Sequence, residues 1–289
     1  MNLPLKHPVN IAYEAATADI GDYNLIDPFH QEVYQKTVVN YNRDVEVFPV
    51  LKRILEKIMG GKSVYQSPTD MGVNRAGFGI RDDAIVQEAS RQEVIRRYFR
   101  YACEYAMGLT ESGTIKRADQ LLQELHLQPE NRRVVEPARQ AARGGKGNMG
   151  ICCGAAIELK DGTVITGKNS PLMHAASSLI LNAIKHLAGI PDKIHLLSPN
   201  ITASIGTLKR DILNGKAESL NLDETLVALS ISSTTNPSAQ MAMEKLKELT
   251  GCEMHLTHIP TPGDEAGLKR LGVNLTSDPN FPSRNLFIG

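Results

Sequence analysis

The first 75 residues of the chain contain a dense set of carboxylate, imidazole, amide and guanidinium side chains. Carboxylates and imidazoles could hold a hard cation, and amide and guanidinium groups could bind the phosphates that such a cation carries. We therefore look for a ligand site in this segment, one suited to Mg²⁺ with a nucleotide or phosphate, although the cofactor is left open. The candidate catalytic residues are Asp27, His30 and Asp44. The candidate ligand-binding residues here are His7, Asn40, Asn42, Arg43, Thr69, Asp70 and Asn74.

The alternative for these residues is structural. No pair of them has a diagnostic metal-ligand spacing, such as two histidines one helical turn apart. Taken singly, most would serve as helix caps, turn residues or surface groups. The glycine cluster GGKGNMG at 144–150 lacks the Ser or Thr of a Walker loop and follows no predicted strand, and no G-x-S-x-G nucleophile elbow occurs. No defined reaction follows from the sequence.

A second group of candidates consists of hydroxyl side chains between a predicted strand and a predicted helix. These ligand-binding candidates are Ser232, Ser233, Thr234 and Thr235. Free backbone N–H groups at a helix start attract phosphate or carboxylate, and the hydroxyls could add donors. The alternative is that Thr235 or Asn236 only caps the helix.

The stretch 151–190 predicts two strands joined by an Asp-Gly turn, followed by a helix that a glycine ends. A strand, a turn, a strand and a helix that opens near a histidine are also the layout on which zinc deaminases place H-x-E and P-C-x-x-C. Here Ala176 occupies the position of the proton-transferring glutamate after His174. The next predicted strand-to-helix junction, SPNITASIG, has no cysteine pair. We therefore expect a deaminase-like fold without zinc, and we interpret His174 as a helix-terminus residue.

The elements around this stretch set the expected domains. Helices are predicted at 83–107, 114–125 and 131–143, before the glycine cluster. After residue 190, strands are predicted at 193–197, 225–230 and 253–259, and helices at 202–213, 238–249 and 264–271. Such alternation builds a sheet with helices on both faces. We predict an α/β protein with a mostly helical domain at 1–145, including a long irregular loop at 60–83, and a three-layer α/β/α domain with cytidine-deaminase-like topology at 146–289.

Composition limits the partners. Lys plus Arg and Asp plus Glu number 32 each, so the formal net charge is zero, which argues against nucleic acid or a membrane surface as the main partner. The absence of tryptophan also removes a stacking platform for nucleic acid. No apolar run reaches the roughly 18 residues of a membrane span, and we expect a cytoplasmic protein. The expected partners are a small-molecule ligand and further copies of the chain in a homo-oligomer.

Four strings in the sequence resemble the uncharacterised bacterial family DUF1846: HPVNIAYEAATADIGDYNLIDPFH, NYNRDVEVFPVL, SPTDMGVN and GVNLTSDP. The resemblance covers essentially the whole chain. It implies a helical middle region and a C-terminal region with a cytidine-deaminase-like layered topology. It also implies an upstream half with a glycine-rich, phosphate-loop-like segment that this chain does not contain, so that the chain corresponds to the C-terminal portion of such a protein. His174 is not part of the family pattern, and the resemblance names no reaction.

Two functional hypotheses follow. In the first, the chain is part of a cytoplasmic enzyme that binds a phosphorylated or nucleotide-like small molecule, with the polar residues of segment 7–75 in its site. In the second, the chain is a non-catalytic ligand-binding or oligomerisation module on a degenerate deaminase-like scaffold. Whether the protein is an enzyme stays open at this point.

Overall fold

A computed structural model of the chain describes residue 60 and the ranges 83–144, 147, 150–215 and 218–282. The chain divides into two compact units. The first comprises residues 1–101 and 110–128, and the second comprises residues 102–109 and 129–289. Residues 61–82, which form most of the predicted irregular loop, lie outside the described residues.

The described part of the first unit is helical. Helix α1 (Asp83–Ala106) runs through the unit boundary, and helix α2 (Ser112–Glu124) lies within the first unit. Val94, Ile95 and Phe99 of α1 are buried, as expected for one apolar face of a helix. The predicted helices at 83–107 and 114–125 are confirmed.

The second unit is built on a mixed sheet. Its strands are β1 (Gly154–Glu158), β2 (Val164–Lys168), β3 (Glu253–Leu256) and β4 (Asn274–Ser277). The strand order is β2-β1-β3-β4. Strand β1 pairs antiparallel with both β2 and β3, whereas β3 and β4 are parallel. The hairpin predicted at the Asp-Gly turn is confirmed, and Gly162 there has a φ of 83° that favours glycine.

Six α-helices accompany this sheet in the described ranges. They are α3 (Val135–Arg143), α4 (Ala175–Leu187), α5 (Pro199–Thr207), α6 (Leu222–Ser233), α7 (Pro237–Glu244) and α8 (Pro262–Leu271). A π-helical turn, Leu208–Ile212, continues α5, and a 3₁₀ turn, Lys245–Leu249, continues α7. No helix in the described ranges combines the length and the apolar character that crossing a bilayer requires.

Helices pack on both faces of the sheet. At two glycines, the backbone of a helix lies directly against the backbone of a strand. On one face, a Cβ atom at Gly154 would lie 2.1 Å from the carbonyl oxygen of Ala138 in α3. On the other face, a Cβ atom at Gly167 would lie 2.4 Å from the backbone nitrogen of Leu179 in α4. The main hydrophobic core lies on the α4 side and includes Ile157. The chain is therefore α/β, as predicted.

Two predicted strands are wrong. Residues 193–197 form turns and bends, and residues 225–230 lie inside α6. Helix α6 begins with a capping box, in which the Asn221 side chain accepts from the N–H of Glu224 and the Glu224 side chain accepts from the N–H of Asn221. This cap, together with buried residues at helical spacing, outweighs the strand-like composition of the segment. Strand β4 follows the last predicted helix, in a segment for which we predict no strand.

The predicted domain boundary at residue 145 stays a prediction. One observation bears on it. Helix α3 precedes the glycine cluster, yet it belongs to the second unit, where Val134 and Ala138 share a small core with Ala156 of β1.

Because a helix contacts the sheet so closely at Gly154, we expect that adding one methyl group there strongly lowers stability. We expect Gly154→Ala to lower the free energy of unfolding by about 3 kcal/mol or more, because the new Cβ overlaps the backbone of α3. Gly206→Ala in α5 is the control: its Cβ would come no closer than 3.7 Å to another atom, so the effect should be neutral or stabilising by up to about 1 kcal/mol. Urea unfolding followed by circular dichroism measures both. Equal midpoints for the two variants would contradict the described packing.

Candidate functional site

A histidine and an aspartate meet where two helices of the second unit begin. His174 immediately precedes α4, and Asp264 lies in the first turn of α8. The segment before α4 is held by an isolated parallel bridge between Met173 and Leu220. Within this bridge, the backbone N–H of His174 donates to the carbonyl oxygen of Leu220 at 2.9 Å. The position of the imidazole is therefore set by backbone hydrogen bonds.

The carboxylate of Asp264 is buried and hydrogen-bonded on both oxygens. Its Oδ2 accepts from Nδ1 of His174 and from Oγ1 of Thr261, each at 2.7 Å. Its Oδ1 accepts from the backbone N–H of Leu222 at 2.9 Å. Thr261 is also the N-cap of α8, since its hydroxyl oxygen accepts from the N–H of Asp264. Groups from three segments of the chain thus converge on one carboxylate.

Asp264 is ionised at neutral pH. Burial alone would raise the pKa of this carboxyl, but the hydrogen bond and charge of His174, together with the hydrogen bonds from Thr261 and Leu222, outweigh burial and lower the pKa. An ionised carboxylate only accepts hydrogen bonds, so Nδ1 of His174 is the donor. The side chain of His174 is 24% exposed and that of Asp264 is 1% exposed. Because Nδ1 is bonded to Asp264, Nε2 is the ring nitrogen left to exchange a proton with a ligand or with water.

A second imidazole, His258, lies in the connection from β3 to α8. It is buried, and its Nδ1 has no hydrogen-bond partner within the described ranges. Burial lowers the pKa of His258 to about 4, although the negative charge of Asp264 acts in the opposite direction. His258 is therefore neutral at pH 7. A buried polar atom without a partner is uncommon in a folded protein and marks this region for attention.

Of the adjacent cysteines Cys152 and Cys153, the buried one does not add a reactive thiolate to the His174–Asp264 pair. Cys152 is exposed and Cys153 is buried, and neither forms a disulfide. Burial, with the charges of Cys152 and Asp264, raises the pKa of Cys153 to about 12, so this thiol is protonated at neutral pH. In the part of the chain that the structure describes, no group of three or more His, Cys, Asp or Glu side chains is arranged to hold a metal ion.

A different polar network braces β3 and β4. Arg132 is almost fully buried and donates to the Thr276 hydroxyl at 3.0 Å and to the carbonyl oxygen of Asn274 at 2.6 Å. It also forms an ion pair with Glu253. These bonds join the segment before α3 to both strands. We interpret this network as structural, because the described partners of Arg132 are groups of the sheet itself.

Comparison with known proteins identifies the family. The family model described as "Domain of unknown function DUF1846, N-terminal" matches residues 1–126, and the model described as "Domain of unknown function DUF1846, C-terminal" matches residues 130–287. The chain belongs to the DUF1846 family. The resemblance carried by the four sequence strings is thereby confirmed.

Similar DUF1846-type proteins come from clostridia. A UPF0371 protein of Clostridium botulinum strain Alaska E43 is 53% identical over 291 residues, which is 99% of this chain and 58% of the relative. A UPF0371 protein of Clostridioides difficile strain 630 is 52% identical over 289 residues, again 99% of this chain and 58% of the relative. The chain thus spans less than two thirds of the length of these relatives.

Most of the site residues predicted from the sequence of this DUF1846 chain lie outside the described residues, so their roles stay predictions. They are His7, Asp27, His30, Asn40, Asn42, Arg43, Asp44, Thr69, Asp70 and Asn74. The proposed upstream half with a phosphate-loop-like segment also stays a prediction.

The hydroxyl candidates lie at the end of α6 and in the turn to α7, rather than between a strand and a helix. Ser232 accepts from the backbone N–H of Ser198, and the hydroxyls of Ser233 and Thr234 donate to carbonyl oxygens three residues back. Thr235 is exposed. Asn236 caps α7, because its side chain accepts from the N–H groups of Ser238 and Ala239. Capping by Asn236, the alternative we gave, is thus present, and ligand binding by the four hydroxyl residues stays a prediction.

Sequence reasoning about this DUF1846 chain missed the partner of His174. The strand predicted at 193–197, which the structure does not contain, leads the deaminase comparison to the junction after it, SPNITASIG. The next strand is β3, and the junction after it, THIPTPGD, contains Thr261 and Asp264. The Thr-Pro-x-Asp start of a helix was the available signal for the cap, but nothing in the sequence pairs residue 264 with residue 174.

The buried His258 predicts a pH dependence of stability. The folded-state pKa of about 4 lies below the ordinary 6.5, so between these values the unfolded chain binds a proton that the folded chain does not. Stability should therefore fall as the pH drops from 6.5 towards 4, by about 3 kcal/mol from this residue. His258→Leu should remove that part of the loss, whereas His186→Gln, at an exposed site in α4, should not. Urea unfolding across this pH range measures it, and identical profiles for wild type and His258→Leu would refute the assignment.

Proposed function

We propose that this chain is part of a cytoplasmic enzyme that binds a phosphorylated or nucleotide-like small molecule and that uses His174 and Asp264 as an acid–base pair. The observation that carries the proposal is the 2.7 Å hydrogen bond between a buried, ionised carboxylate and a partly exposed imidazole. In enzymes this arrangement fixes the tautomer and orientation of a histidine that transfers protons. Structural ion pairs can have the same geometry, so the proposal also rests on the partial exposure of the His174 side chain.

The chemistry follows from the tautomer. In the neutral imidazole, the proton that Asp264 holds on Nδ1 leaves the lone pair on Nε2, which can accept a proton from a hydroxyl group or a water molecule. The imidazolium that forms is stabilised by the carboxylate, and the proton can then return to a leaving group. General acid–base catalysis of this kind contributes on the order of 10² to 10⁴ in rate.

The helix starts around the pair carry partial positive charge, which offsets the negative charge of Asp264. His174 and Asp264 both lie at helix starts, where the free N–H groups of the first turn carry partial positive charge. Mg²⁺ would fit the predicted carboxylates Asp27 and Asp44, which lie outside the described residues. The proposal therefore assigns proton transfer to the second unit, and phosphate and cation binding by the N-terminal residues stays the prediction made from the sequence.

We further propose that the second unit has the cytidine-deaminase-like topology. Two features support this: β1 is antiparallel to both of its neighbours in the order β2-β1-β3-β4, and helices begin at His174 after β2 and near Asp264 after β3. In the zinc deaminases, histidine and cysteine ligands hold the metal and a nearby glutamate transfers the proton. Here the His174–Asp264 hydrogen bond would take the place of the metal–ligand bonds, so the reaction would be of another class.

A ligand panel with a conservative variant tests the acid–base proposal. We expect Mg²⁺ with ADP, AMP or a sugar phosphate to raise the melting temperature of the 289-residue chain in a thermal-shift assay. The amide introduced by His174→Asn can still donate to Asp264 but offers no counterpart of Nε2. Ligand stabilisation should therefore persist, while any turnover of that ligand, followed by ³¹P NMR, falls by about 10² or more.

His186→Asn, on the exposed side of the same helix, is the matched control and should behave as wild type. Melting temperatures that do not respond to any compound of the panel would refute binding. Turnover that persists unchanged in His174→Asn would refute the role of the pair while leaving binding in place.

One observation favours the second candidate function, a non-catalytic oligomerisation module. Helices α6 and α7 expose large apolar side chains, with Val227 58%, Ile231 49% and Met241 53% accessible. Patches of this kind often mark contacts between protein chains. In this alternative the patch would join copies of the chain in a homo-oligomer.

Ile231→Glu tests the oligomer. If the patch is the contact, the wild-type chain should sediment as an oligomer in analytical ultracentrifugation, and the variant should sediment as a monomer with an unchanged melting temperature. Ser230→Glu, at a neighbouring exposed position, is the control. A monomeric wild type, or a variant that remains oligomeric, would exclude this patch as the contact.

A further inference from the structure

A cavity of about 660 Å³ lies between helices α4 and α5, outside the acid–base pair. Its volume is within the range of roughly 300 to 1,000 Å³ that is usual for small-molecule sites. Neither His174 nor Asp264 lines it, whereas Met173 and Leu220 of the adjoining bridge do. The cavity is therefore a separate compartment of the same unit.

The floor of the cavity is apolar. Leu181 of α4, together with Leu196 and Leu220, lines it, and these three side chains are at most 8% exposed. Leu172 at its edge is 65% exposed, which leaves apolar surface open to solvent. An occupant with an apolar body would cover this surface and gain from its removal from water.

Two cationic side chains in the lining, Arg210 and Lys185, differ in whether a carboxylate neutralises them. Arg210 forms ion pairs with Asp211 and Glu218, so its charge is compensated. Lys185 donates to the carbonyl oxygen of Asp192 at 2.8 Å, and no carboxylate lies within ion-pair distance of it in the described ranges. A lysine ammonium has three N–H donors. The bond to the carbonyl oxygen of Asp192 uses one of them, so two remain to bind an anion.

The polar groups of α4 lie on one side of the cavity. Ser178, Asn182 and Lys185 are spaced by four and three residues, so they share one helical face, and all three line the cavity. The cationic end of this row is Lys185, and the apolar floor lies beside it. The lining thus offers an anion-binding group next to an apolar surface.

We propose that this cavity binds a small organic anion with an apolar body, whose carboxylate or phosphate group is held by Lys185 and whose body lies on the leucine floor. This goes beyond the acid–base function, because the two sites share no side chain. It can be correct even if His174 transfers no proton.

Ligands that differ only in their head group test the class of occupant. Octanoate and octyl phosphate are titrated into the ¹⁵N-labelled 289-residue chain at millimolar concentration, with octanol as the uncharged arm. We expect chemical-shift changes centred on α4 and α5 for at least one anion, and about tenfold weaker binding of octanol. The preference between the two anions identifies the head group. No shift with either anion, or equal affinity for octanol, would overturn the proposal.

Variants locate the site. Ala203 lines the cavity and Ser204 does not, although both are exposed residues of α5. Ala203→Phe should fill the cavity and abolish binding, whereas Ser204→Phe should leave it unchanged. Lys185→Gln should weaken anion binding about tenfold and leave octanol binding unaltered, with Lys193→Gln as its exposed control.

Anion binding that survives Ala203→Phe, or that is insensitive to Lys185→Gln, would refute the assignment. Because all four substitutions are at partly or fully exposed positions, melting temperatures close to wild type are expected and serve as the check on folding.

Discussion

The second unit depends on how it accommodates the negative charge of Asp264. An ionised carboxylate in a protein interior is costly unless it is paired and hydrogen-bonded. The cost is offset here by donors from His174, Thr261 and Leu222, which lie next to the starts of α4, α8 and α6. The partial positive charge of helix N-termini acts in the same direction. A single carboxylate is thus bonded to groups at three helix starts, so the geometry of the His174–Asp264 pair follows from the fold itself.

The two proposed sites lie on opposite sides of one short piece of extended backbone. Neighbouring residues in an extended segment point in opposite directions. Met173 and Leu220 accordingly line the cavity, while the His174 side chain and the backbone N–H of Leu222 bind the carboxylate of Asp264. The bridge between residues 173 and 220 therefore separates the cavity from the His174–Asp264 pair.

Local patterns predicted much of this fold, and long-range pairing explains the failures. The hairpin, helix α4 and strand β3 follow from an Asp-Gly turn, a one-sided apolar pattern and a short β-rich run. The side chains of residues 225–230 suit a strand, but the capping box at Asn221 and the helical spacing of the buried residues favour the helix that the structure shows. Strand β4 is stabilised by pairing with β3, which local composition does not reveal. The site was missed for the same reason, since His174 and Asp264 are ninety residues apart and meet only through tertiary structure.

Gly154 and Gly167 lie on paired strands and face opposite helices. At each glycine, a helix backbone occupies the space that a side chain would need. The hairpin therefore fits between α3 and α4 in only one register. A shift of one residue in the strand register would place the side chain of Ala155 or Thr166 at a position where the helix leaves room only for a hydrogen atom. The register of the hairpin is thus fixed by steric exclusion as well as by the hydrogen bonds between β1 and β2. A shifted register would clash with both α3 and α4.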